Sequence, residues 1–122
     1  MTTESAIQID SDGGVTVVTF GPELKHLDDH AVMEHQAQLL ATADDATPPW
    51  VLLDLSNVSL FGSTFIETIF RVWHRLNARP DSRFALCGLS DYCFEVLQIT
   101  HLDGLWSICP TRDEAIQKLI DG

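Results

Sequence analysis

The clearest pattern in the chain is a continuous apolar run followed by a helical stripe, in WVLLDLSNVSLFGSTFIETIFRVWHRL from Trp50 to Leu76. The run VLLDL is apolar at nearly every position, as expected of a parallel strand covered on both faces. Beyond it, Ile66, Ile69, Phe70, Trp73 and Leu76 or Asn77 recur near i, i+3, i+4, i+7 and i+10. That spacing predicts a helix with one face on the core. The helix ends near Asn77-Ala78-Arg79-Pro80, with Arg71, Arg75 and Arg79 toward the negative end of its dipole. It opens on Gly62-Ser63-Thr64. Two hydroxyls therefore stand where unpaired backbone N–H groups and the helix dipole favour negative charge.

Residues 6–20 (AIQIDSDGGVTVVTF) predict two short strands around an Asp12-Gly13-Gly14 turn. Gly21-Pro22 ends the second, because proline cannot donate to a sheet ladder. From about Asp28 to Ala43, the residues Ala31, Val32, Gln36, Leu39 and Leu40 share a helical face, with Asp28 or Asp29 as N-cap. Pro48-Pro49 breaks the chain before the strand Trp50–Leu55, and FALCGL at 84–89 supplies a neighbouring strand. Asp91–Ile99 predicts a third helix, Leu105–Ile108 a short strand, and Thr111–Ile120 a closing helix with Asp113 and Glu114 in its first turn. The order is ββαβαβαβα. It predicts one α/β domain over residues 1–122, with a mostly parallel sheet of four to five strands, an N-terminal hairpin and about four helices.

Composition narrows the function classes. A chain of 122 residues can bury a core without metal or disulfide help. The formal net charge of −11 argues against nucleic acid and anionic membrane surfaces, and favours a protein partner with a basic face or a purely solubilising role. No apolar run approaches the ~20 residues of a membrane span. The polar MTTESAIQID start has neither the basic nor the apolar region of a signal peptide. The three cysteines, Cys87, Cys93 and Cys109, are odd in number and lack CxxC spacing, so the expectation is reduced thiols in a cytoplasmic protein.

Catalytic chemistry finds little support, and no cofactor or metal is expected. Asp54 at a strand end invites comparison with receiver-domain phospho-acceptors, but Asp10 and Asp12 do not form the required acidic pair. The only lysines are Lys25 and Lys118. Asp54 is therefore read as a hydrogen-bonded structural residue. His26, His30 and His35 do not share one helical face, and Cys87 sits in an apolar strand as inert packing. Thr64-Phe65-Ile66-Glu67 fits the S/T-x-x-E capping box, with Thr64 at N-cap and Glu67 at N3.

The strand VLLDLSNVSLF, the loop Gly62-Ser63-Thr64-Phe65-Ile66-Glu67 and the segment FGPELKHLDD at 20–29 resemble the STAS family, the anti-sigma-factor-antagonist fold. That family shows an apolar strand ending in Asp-Leu-Ser, then Asp-Ser-Ser-Gly-Leu-Gly opening a helix, and a GELD segment leading into its first helix. The resemblance covers nearly the whole chain. It implies a regulatory module binding an anti-sigma factor of the serine/threonine-kinase type. The implied contacts are Gly62, Ser63, Thr64, Phe65 and Glu67, together with Glu23 and Asp28, and phosphorylation at Thr64 or Ser63 would weaken docking. Here Gly62 replaces the family's Asp, and Phe65 and Glu67 replace its two glycines. Phe65 then puts bulk where the kinase would meet bare backbone, and Glu67 would repel a phosphate or stand in for its charge. The alternative is a constitutive scaffold or assembly subunit, stressosome-like or transporter-associated, with Phe65 as a contact anchor and no switch. A homo-oligomer and a small-ligand site at the strand-end loops are further expectations.

Overall fold

The computed structural model describes residues 6–122. The hairpin pairs β1 (Ile7–Asp12) with β2 (Val15–Phe20) in antiparallel register, Ile7 opposite Phe20. Its two-residue turn is Gly13 at φ 62° and Gly14 at φ 91°, the left-handed pair that matches strand twist in a tight hairpin. A 3-10 turn, Pro22–Leu24, leads to the two-residue strand β3 (His26–Leu27) and then to α1 (Asp29–Asp45). Next come β4 (Trp50–Asp54), the two-residue strand β5 (Leu60–Phe61) and α2 (Ser63–Asn77). The chain closes with β6 (Arg83–Cys87), α3 (Asp91–Ile99), β7 (Ser107–Cys109) and α4 (Arg112–Asp121).

The main sheet runs β1-β2-β4-β6-β7, parallel from β2 onward. Because the parallel strands are added in one direction, right-handed crossovers set α1, α2 and α3 side by side on one face. The core follows that division. Val32, Leu39, Phe65, Ile69, Val72, Cys93 and Leu97 pack in one cluster, while Ala115, Ile116 and Leu119 of α4 pack with Val17, Leu52 and Ala85 on the other face. With apolar layers on both sides, Val51, Leu52 and Leu53 are buried in succession, so β4 has no solvent face.

The α/β architecture, the hairpin and the four helices match the sequence expectation. Two details differ. The last strand begins at Ser107, after the buried Trp106. The core stripe of α2 is Phe65, Ile69, Val72 and Leu76 with Thr68, while Ile66, Phe70 and Trp73 are half-buried along its flank. A stripe at i, i+4, i+7 and i+11 fits the 3.6 period as well as the expected one, and Phe65 decides between them by facing the sheet. Buried Thr68 is fully hydrogen-bonded. Its hydroxyl donates to Thr64 O at 3.0 Å and accepts from Gln36 Nε2 at 3.2 Å, tying α2 to α1.

Candidate partner-docking site

The expected docking segments, 23–28 and 62–67, are brought together by a feature that the sequence did not reveal. Strands β3 and β5 pair in parallel, His26 opposite Leu60 and Leu27 opposite Phe61. Ser59 N donates to Lys25 O at 2.8 Å just before the pair. Parallel strands leave at the same end, so Asp28 and Gly62, each the residue after its strand, stand side by side as N-caps of α1 and α2. Two helix N-termini with their free N–H groups thus open onto one surface. Glu23 is exposed on the 3-10 turn upstream of this pair.

The two caps are built differently. Asp28 is extended, and its Oδ1 accepts from Ala31 N at 2.9 Å, closing the start of α1. Gly62 caps α2 with no side-chain hydrogen bond, and Ser63 and Thr64 occupy the first two helical positions. The capping-box expectation is therefore corrected. Thr64 lies two residues past the N-cap, where its hydroxyl cannot reach back over the first turn, and Glu67 instead pairs with Arg71 at 3.0 Å. Ser63 is exposed and Thr64 half-exposed. Gly62 has no heavy atom within 4 Å of where a Cβ would stand, so this corner of the surface is open.

The expectation of a protruding Phe65 is also corrected. Phe65 is 1% exposed and forms the floor beneath the site. Its ring meets Phe20 edge-on at 5.6 Å and Phe61 at 5.3 Å, so it joins β2, β5 and α2. Bulk at this position is directed into the core, and the surface above it is carried by Gly62, Ser63, Thr64 and Glu67.

Behind the site, Asp54 behaves as the structural residue expected. It is 6% exposed, and its Oδ1 accepts from the backbone N–H and the hydroxyl of Ser56. Arg112, the first residue of α4, places Nε 3.8 Å from Asp54 Oδ2 and donates from Nη2 to Thr19 Oγ1 at 3.1 Å. Asn57 Nδ2 donates to Phe20 O at 2.8 Å, fixing the loop that carries β5. Thr19, Asp54, Cys87 and Cys109 lie in one register row across the strand ends. Burial, and then the Asp54 carboxylate, push the Cys87 thiol up to about 12. Burial also raises Cys93. All three cysteines are free and buried. Among the described residues, no group of three or more His, Cys, Asp or Glu side chains is placed to hold a metal ion, and no helix is long and apolar enough to cross a membrane.

The STAS domain model matches residues 6–115, nearly the entire described chain. The chain belongs to the STAS domain family. It is similar to an anti-sigma-factor antagonist (STAS) domain protein from Planctomyces limnophilus at 38% identity and a TM-score of 0.89, over 93% of this chain and 97% of that one. The fold also matches the phosphorylated form of the Bacillus cell fate determinant SpoIIAA, at 24% identity and a TM-score of 0.65, over 93% of this chain and 99% of that one. A third match is the murine Slc26a9 anion transporter, at 15% identity and a TM-score of 0.70, over 93% of this chain but 19% of the transporter. No curated protein matches the chain.

Proposed function

We propose that this chain is a regulatory protein-binding module of the anti-sigma-factor-antagonist kind. Its partner is an anti-sigma factor of the serine/threonine-kinase type, met through Gly62, Ser63, Thr64 and Glu67 together with Asp28 and Glu23. The observation that carries this reading is the uncapped start of α2. Ser63 and Thr64 present hydroxyls without a capping role beside the N-terminus of α1. The 38% identity to an anti-sigma-factor antagonist domain protein supports the same reading.

Phosphorylation at Thr64 or Ser63 would add roughly −1.5 to −2 charge at the helix N-termini. The dipoles tolerate that charge, while Glu67 one turn along and Asp28 across the gap add to it. A partner selected for the unmodified surface would then meet bulk and negative charge together, and docking would weaken. Glu67 also gives the unmodified surface a fixed negative charge.

The test is quantitative affinity purification from native lysate with wild type, Thr64→Ala and Thr64→Glu, with phosphosite mapping of the bait. Loss of a kinase-like partner from Thr64→Glu alone supports the switch. Equal retention by all three overturns it and favours a constitutive scaffold, a role that the fold similarity to a segment of an anion transporter also accommodates.

A further inference from the structure

The two edges of the main sheet differ in what they offer a partner. β7 presents three residues, whereas β1 presents six, and residues 8–12 are all exposed. Gly21 N donates to Ala6 O at 2.8 Å, so Ala6 belongs to the set of positions that bond across the hairpin. Bonded and unbonded positions alternate along an antiparallel pair. Gln8, Asp10 and Asp12 therefore turn their backbone groups toward β2, and Ile9 and Ser11 turn theirs outward. Among the described residues, nothing bonds to the outward N–H and C=O groups of Ile9 and Ser11.

The side chains of β1 alternate as well. Ile7 joins the core beneath α1, and Ile9, on the same face, is 42% exposed. Ile9 lines a groove of about 340 Å³ against Gln38, Ala41, Thr42 and Asp45 of α1. Asp10 and Asp12 fall on the opposite face, across from Val17 and Val15. This side of the molecule is acidic without internal compensation. Lys25 is the only lysine or arginine in the first 70 residues, and Asp10, Asp12 and Asp45 make no ion pair among the described residues.

The geometry points to strand addition: β1 takes up an extended cationic segment of a partner protein, which pairs with Ile9 and Ser11 as a sixth strand of the sheet. The unbonded backbone groups specify a strand as the occupant, because helices satisfy their own N–H and C=O groups and present no matching row. The unpaired carboxylates specify its charge. Residues opposite one another on adjacent strands share a face. The segment therefore carries lysine or arginine opposite Asp10 and Asp12, and apolar residues opposite Ile9 and Ser11, along the groove. The same carboxylates bar a second copy, since pairing two β1 edges sets Asp10 and Asp12 of one chain against those of the other. None of these residues belongs to the proposed docking site, so this reading and the antagonist reading fail separately.

Fluorescence anisotropy with a labelled Val-Arg-Val-Arg-Val-Arg peptide, at an ionic strength of about 0.15 M, tests the proposal. The wild type binds it, and a block-ordered Arg-Arg-Arg-Val-Val-Val peptide of equal charge binds about tenfold more weakly or worse, because it cannot place its charges on one face. Ser11→Pro removes an outward N–H that β2 does not use, and lowers affinity for the alternating peptide by about tenfold. Replacing both carboxylates, Asp10→Asn with Asp12→Asn, lowers it by about as much. Melting curves check that the variants fold, and the double variant, which changes only exposed side chains, decides the matter if Ser11→Pro does not. A wild type that leaves the peptide unbound to millimolar overturns the inference. Equal binding of the two peptides overturns it too, by reducing the contact to bulk charge, as does a folded Ser11→Pro or double variant that binds like the wild type. A wild-type dimer in sedimentation velocity that Ser11→Pro abolishes gives the edge to a second copy and overturns it as well.

Discussion

Leu27 lies opposite Phe61 in a parallel pair only two residues long on each strand, and this short contact sets the starts of α1 and α2 beside one another. Asp28 follows Leu27 directly and serves as the side-chain cap of α1. Its carboxylate therefore has a structural role as well as a proposed place at the docking surface. Asp28→Ala removes the cap and is expected to cost about 1 kcal/mol, whereas Asp28→Asn keeps a capping oxygen and costs little. Urea denaturation of the two variants measures the difference. If partner affinity falls equally in both, it is the charge of Asp28 that the partner reads.

Phe65 illustrates a different division of labour. Fully buried between Phe20 and Phe61, it supports the start of α2 from inside. Phe65→Ala is expected to lose between about 3 and 5 kcal/mol of stability, the usual cost of emptying an aromatic site in a packed core. Phe65→Leu, which keeps most of the volume, loses much less. Denaturation curves on both variants check this. An Ala variant as stable as the wild type would mean that the ring is dispensable to the core.

The order of elements was readable because each long element repeats its own period, and the apolar β4 run and the alternation of helix and strand leave few topologies. Strands β3 and β5 were not readable. Two residues are too few to show a period, and their pairing joins positions more than thirty residues apart. The residues of the proposed docking surface are therefore legible one by one, but the contact that brings them together is not. Phe65 was misplaced for a related reason: next to two small hydroxyl residues it reads as loop, and only the i, i+4, i+7 sequence with Ile69 and Val72 marks it as core. Thr64-x-x-Glu67 has the letters of a capping box, but the helix starts two residues earlier than that motif requires.

Gly88 packs closely against the backbone of Ser56 at the strand ends. Its φ is +69°, and a Cβ there would stand 3.0 Å from both Cα and N of Ser56. A left-handed conformation alone costs a residue with a Cβ about 1–2 kcal/mol, and the backbone of Ser56 cannot rotate away as a side chain would. Gly88→Ala is therefore expected to destabilise by about 2 kcal/mol or more. Because Ser56 also donates to Asp54, the variant should loosen the Asp54 anchor. Chemical denaturation reads the first effect and amide exchange at Ser56 the second. Wild-type values for both would show that the strand ends yield easily.

Cys87 ties the fold to alkaline pH. Its thiol is raised from 9.0 to about 12, first by burial and then by the Asp54 carboxylate, which disfavours a second negative charge beside it. In the unfolded chain the same thiol ionises near 9. Between those values the unfolded chain has released the proton and the folded chain retains it, so stability falls as pH rises. Below pH 9 both forms are protonated and the group adds no pH dependence. The expected outcome is a decline in unfolding free energy above pH 9 that is shallower in Cys87→Ala, whatever stability that variant loses at neutral pH through its smaller side chain. The same burial makes Cys87 slow toward thiol reagents at neutral pH, since the thiolate is the reactive form. Urea denaturation as a function of pH, on wild type and variant together, isolates the contribution of this one thiol. Parallel pH profiles for the two proteins would show that Cys87 does not titrate differently in the folded and unfolded chains.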